Sequence, residues 1–162
     1  MQQIKVYTSA KLEHAAKLKA VSQDGFHFNA RWLDTADAGR QRLKPVTHWQ
    51  QENFDDIVAA HFFLLYVEPG DHLKGSLVEI GYAIGRGKKC WIAGDGNGVD
   101  VITEATTGHV RLPHRDILPW SMYRQRVRVV PSLTVALAQM RALVRPDVVT
   151  EMDGTASEAQ EF

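Results

Sequence analysis

One cysteine among 162 residues leaves this chain no internal disulfide, so its stability has to come from a hydrophobic core. That cysteine, Cys90, lies in an apolar run and reads as a small buried residue, in keeping with a reducing cytoplasm. Long apolar runs are also missing. No stretch reaches the length of a bilayer span and no secretory leader is read at the start, which predicts a cytoplasmic protein without membrane contact. Excess charge is absent as well, with 19 basic residues against 19 acidic ones, and such a balance argues against a surface for a nucleic-acid polymer. The seven histidines, His109 and His114 near Asp116 included, match no zinc spacing, so no metal is expected. The glycines Gly81, Gly85 and Gly87 fall within and after a helix rather than at a strand-to-helix turn, so no dinucleotide cofactor is expected. No internal repeat is visible.

What is present is an ordinary globular composition, 44% hydrophobic and 23% charged, of a length that suits one domain. The charge is uneven along the chain. The last basic residue is Arg145, and Asp147, Glu151, Asp153, Glu158 and Glu161 follow it. The reading is a single domain over 1–146 and an acidic, disordered tail over 147–162. Up to Arg145 the 19 basic residues face 14 acidic ones, a mild preference for small anions.

Hydrophobic periodicity sets the elements. Ile4 to Thr8 predicts a first strand, Ser9 a helix cap, and Lys11 to Val21 an amphipathic helix. Phe26 to Leu33 predicts a second strand. Asp34 to Pro45 predicts a long loop, and Thr47 the cap of a helix to Ala59 with Trp49, Phe54, Ile57 and Val58 inward. The run Phe62 to Val67 predicts a strand buried on both faces. A polar bend, Glu68-Pro69-Gly70-Asp71, follows. Leu73 to Arg86 then predicts a helix with Leu77, Ile80, Tyr82, Ala83 and Ile84 for burial, stopped at Gly85-x-Gly87. Cys90 to Ala93 and Val127 to Val130 complete five strands. Asp95 to Gly98 reads as a turn, Val99 to Arg111 as ambiguous, and Leu112 to Met122 as a loop. Pro131-Ser132 opens a last helix to Leu143, with Leu133, Val135, Leu137, Ala138 and Met140 buried. Strands alternating with helices predict a doubly wound α/β fold, a five-stranded parallel sheet of flavodoxin-like order 2-1-3-4-5. Its cleft lies at the carboxyl ends of strands one and three, with Tyr7 to Ala10 and Glu68 to Gly75 as the two lips.

Glu79 stands out because it interrupts an apolar helix that packs on this sheet. It either faces solvent or projects into the cleft, and Gly75, Ser76 and Gly81 leave room for a ligand to approach. Tyr7 is core or a partner for that carboxylate, and Asp71 a helix cap or a ligand contact. Ser9 and Lys11 are a plain cap and its neighbour or a cradle for a 5′-phosphate. Arg31 and Trp32 are a solvated arginine and a core indole, or a stacking surface for a base. Asp55 and Asp56 read as a helix surface pair.

Tyr7 at the end of strand one, the acidic loop after strand three, and Gly75 to Ala83 (GSLVEIGYA) with Gly87-Lys88 resemble the nucleoside 2-deoxyribosyltransferase superfamily, which includes deoxynucleotide N-glycosidases. The likeness runs over Lys5 to Gly94. It implies that Glu79 is the nucleophile, that Tyr7 orients it, and that Asp71 binds sugar hydroxyls. It also implies a nucleoside or nucleotide as the small-molecule partner and a homo-oligomer. Two departures accompany it: Asp71 lies eight residues before Glu79 where the family has six, and a family aspartate near the base falls on Asn53, with Asp56 one turn further on. The implied chemistry is cleavage or transfer of an N-glycosidic bond, since a carboxylate beneath the anomeric carbon stabilises the cation formed as the base leaves, or captures it. Glu79, set near a helix N-terminus, is expected to be kept ionised by the helix dipole. A non-catalytic nucleotide-binding module of the same fold is the alternative.

Overall fold

The computed structural model describes residues 3–21, 25–35, 46–68, 71, 73, 75–94, 102–103, 110–111 and 126–144. The expected turn at Asp95 to Gly98, the loop Leu112 to Met122 and the tail 147–162 lie outside them. Seven strands occur among the described residues: β1 (Ile4–Ser9), β2 (Phe26–Phe28), β3 (Phe62–Tyr66), β4 (Lys89–Ala93), β5 (Ile102–Thr103), β6 (Val110–Arg111) and β7 (Val127–Val130). The helices are α1 (Ala15–Val21, entered through a 3-10 turn at Leu12–His14), α2 (Trp32–Thr35), α3 (Val46–Ala59), α4 (Gly75–Gly85) and α5 (Leu133–Val144). Five strands form one sheet in the order β2-β1-β3-β4-β7, all parallel. Counted within that sheet this is 2-1-3-4-5, so the chain is a doubly wound α/β protein. β5 and β6 form a separate antiparallel ribbon.

The central strand follows from composition. All five residues of β3, FFLLY, are buried, the pattern of a parallel strand covered on both faces. Register then assigns those faces. Tyr7, Phe63 and Cys90 are cross-strand partners and share one face, while Thr8, Leu64 and Trp91 share the other. α3 and α4 cover the Tyr7 face, reaching it through Asn53 and Glu79. α1 and α5 cover the opposite face, through Lys17 on Tyr66 and Gln139 on the Trp91 indole. α5 buries Leu133, Ala136, Leu137 and Met140, the spacing of a single helix stripe. Val135 packs at the rim of this core and Ala138 is exposed.

α4 stops as its glycines suggest. Gly87 adopts φ +72°, Lys88 N donates to Ala83 O at 2.9 Å and Gly87 N to Ile84 O at 2.9 Å, a Schellman closure that needs a left-handed residue. The Lys88 ammonium then turns back to the carbonyls of Val58 (2.8 Å) and Ala60 (2.5 Å), satisfying the end of α3.

Local expectations changed in four places. β2 ends at Phe28 rather than Leu33, because the Trp32 indole donates to Thr8 O at 2.7 Å and Leu33 N bonds back to Ala30 O. That turn lets the adjacent Trp32 and Leu33 both bury, which alternation on an edge strand forbids. Ser9 is the last residue of β1 and caps nothing, and the extended residue before the 3-10 turn is Lys11, without a side-chain cap. Thr47 lies inside α3, which begins at Val46. Val58 and Leu77, 41% and 37% exposed, face outward because the helical period puts Ile57 and Ile80 inward instead.

Candidate active site around Glu79

Tyr7 and Ser9 lie two residues apart on β1, so they project from the same face near its carboxyl end. Over that face α4 brings Glu79 and α3 brings Asn53. The Ser9 hydroxyl donates to Glu79 Oε2, and Asn53 Nδ2 donates to Glu79 Oε1 at 2.9 Å. The Tyr7 ring is fully buried and stacks on Phe63 with centroids 5.6 Å apart. Its hydroxyl helps hold the charged form of Glu79 yet meets no partner at full hydrogen-bond geometry. Glu79 itself is half-buried. Three of the sequence candidates, Tyr7, Ser9 and Asn53, thus converge on the fourth.

The electrostatics differ from the expected dipole effect. Glu79 is the fifth residue of α4, past the first turn where the helix terminus acts. Burial raises its carboxyl pKa above the usual value, and the Ser9, Tyr7 and Asn53 donors oppose that only in part. Burial likewise pushes the Tyr7 phenol far up, the Glu79 charge adding to it, so Tyr7 stays a protonated donor throughout the working pH range. Among the described residues all the partners of Glu79 are neutral.

Asp71 sits in a different cluster. It is buried, with Lys11 Nζ 3.1 Å from Oδ1, His14 Nε2 2.9 Å from Oδ2, and Glu68 N donating to Oδ2 at 2.8 Å. Glu68 accepts from the Tyr66 hydroxyl at 2.6 Å and pairs with Lys17 at 2.8 Å. Those two contacts hold the Glu68 carboxyl below its usual pKa. Lys17 also bonds the Tyr66 hydroxyl, and the partnership with Glu68 and Tyr66 raises its own pKa. Asp71, proposed for sugar hydroxyls, therefore spends both oxygens on its own chain, and Lys11 is committed to Asp71 and, at 3.6 Å, to Glu13. Neither Lys11 nor the Ser9 hydroxyl is set as a phosphate cradle. Ligand atoms of Glu13, His14 and Asp71 lie within 4.8 Å of one another, but the Lys11 ammonium already supplies positive charge there.

Asp56 is buried rather than a surface residue. Arg31 N and Nε donate to its two oxygens at 2.9 and 2.8 Å. Burial raises its pKa and Arg31 opposes the rise. Trp32 is core, as its ordinary reading expects. Gly75 opens α4, and among the described residues nothing beyond its own stretch of helix comes within 4 Å of where a Cβ would stand. Sequence reasoning missed His14, Lys17, Tyr66 and Glu68. The available signal was His14 on the apolar stripe of its helix beside Ala15 and Leu18, a polar residue in want of a partner.

No protein-family model, curated protein or solved structure matches this chain. The class is therefore carried by the topology alone, a doubly wound α/β protein with a carboxylate site at the carboxyl ends of its central strands. Among the described residues no helix is long and apolar enough to cross a membrane.

Proposed function

We propose that this chain cleaves or transfers the N-glycosidic bond of a nucleoside or nucleoside monophosphate, with Glu79 as nucleophile. One observation carries the reading: a half-buried carboxylate, gripped by Ser9 and Asn53, stands where open α/β sheets bind ligands. A carboxylate kept partly from water and given only neutral partners is poorly stabilised alone. It gains most when positive charge develops beside it, so its interaction grows from ground state to transition state. In the reaction, a Glu79 oxygen bonds to the anomeric carbon as the carbon–nitrogen bond breaks. The electron pair leaves with the base, which takes a proton from solvent. Water, or the nitrogen of a second base, then bonds to the anomeric carbon as its bond to Glu79 breaks, loses its proton to solvent, and restores the carboxylate.

Tyr7 and Asn53 serve here as positioning donors to the nucleophile. A carboxylate at position 53 would face Glu79 with like charge, which gives asparagine there a physical reason. Ligand binding without turnover is the second reading, favoured because burial drives Glu79 toward its neutral, non-nucleophilic form. Incubation with deoxynucleosides, deoxynucleotides and NAD, followed by assay of free base, separates the two. Release lost in Glu79→Gln with folding retained supports catalysis. Binding without release in the wild type overturns it. A new nucleoside on adding a second base marks transfer rather than hydrolysis, and subunit number, expected above one, is read by sedimentation.

A further inference from the structure

The acidic side chains fall into two groups by partner. Among the described residues that are buried or half-buried, Asp56 and Glu52 lie beside Arg31, Asp71 beside Lys11 and His14, and Glu68 beside Lys17. Glu79 has no cation among the described residues: its contacts there are the Ser9 hydroxyl, the Asn53 amide and the nearby Tyr7 phenol. The unpartnered Tyr7 hydroxyl, on a fully buried ring, marks a second place in the same site where a polar ligand group is wanted.

A charge withdrawn from water and left without a counter-ion is costly, and the cost falls when an opposite charge arrives. We propose that the Glu79 site binds a compact organic monocation, a protonated ring amine of sugar size, in preference to a neutral ligand of the same shape. The ammonium lies against Glu79, and a ring hydroxyl donates to the Tyr7 phenol oxygen. The sugar-like size of this ligand rests on the glycosidic reading, whereas the preference for a cation rests on the partners of Glu79 and needs no turnover.

The pH dependence follows from what faces Glu79. β1 offers Tyr7 and Ser9, α3 offers Asn53, and Asp56, which bears on Tyr7, is held by Arg31. None of these contacts brings a second titrating charge to the carboxylate near neutral pH, because Tyr7 is pushed far above that range. Cation binding requires ionised Glu79, so it expels a proton and strengthens as pH rises, up to the point where the amine loses its own proton.

The test is calorimetric titration, at fixed ionic strength, with a dihydroxylated pyrrolidine and with the matching tetrahydrofuran, over a pH series. The expected result is a pyrrolidinium affinity about tenfold to a hundredfold above that of the ether, the range of a charge-assisted hydrogen bond. The preference shrinks as the pH is lowered and is lost in Glu79→Gln. Equal affinities, binding of neither, or a preference retained in Glu79→Gln each overturn the proposal. If the variant fails to fold, the wild-type pH series decides alone, a pH-independent preference counting against. Cation preference without base release sinks the glycosidic reading only, whereas base release with equal affinities sinks this proposal only.

Discussion

Two carboxylates at the same end of the sheet have met opposite fates. Asp71 is more deeply buried, yet a lysine ammonium, a histidine ring and a backbone amide surround it. Glu79 keeps some exposure and, among the described residues, has only neutral donors. Burial alone does not mark a functional acid; what matters is whether the chain has already answered its charge. Asp71 is answered and works as a tie between the first helix and the loop after β3. Glu79 is held in place by neutral donors that do not cancel its charge.

The largest expected effect is on turnover. Glu79→Gln lowers base release about a thousandfold or more, as for loss of a nucleophile, while Lys17→Met leaves it near wild type. Equal losses in steady-state assays would erase the distinction between the clusters. Next in size is stability. Asp71→Ala costs about 3 kcal/mol in urea unfolding, the low end for breaking a buried pair because Lys11 turns out to water. A loss below about 1 kcal/mol would show that the tie carries little.

A smaller effect has the opposite sign. The raised pKa of Glu79 means the folded state binds its proton more tightly than the unfolded chain. Stability from that proton is present below the unfolded pKa and is lost as pH rises through the folded one. Glu79→Gln is therefore more stable than wild type by about 1 kcal/mol at neutral pH, the gap closing in acid. Glu68 is the mirror case. Its lowered pKa gives stability above the unfolded pKa that is lost as pH falls through the folded one. Glu68→Gln is thus destabilised at neutral pH, by about 0.5 kcal/mol for so open a pair, and matches wild type in acid. Denaturation curves with slopes of the same sign would remove the contrast.

Much of this architecture was legible in residue order. The run Phe62 to Val67 is too short and too apolar for anything but a covered strand, and Gly87 is where a left-handed residue is needed. Glu79 was legible as a misfit in an apolar helix. Trp32 was not legible as a helix residue, because its alternation with Phe26 and Phe28 is that of a strand. The carbonyl of Thr8, from a neighbouring strand, takes the indole hydrogen where the chain turns. Asp71 read like a site acid, and nothing nearby in sequence announces Lys11 or His14 as its partners.

Sequence by itself determined the five strands of the main sheet and the helices that cross between them, hence the parallel order, because periodicity and turn chemistry are local. Tertiary structure alone decided which acids are neutralised and which are left wanting. The partners of Glu79 come from β1 and α3, residues 70 and 26 positions away, and Coulomb attraction and desolvation depend on distance through space, not along the chain.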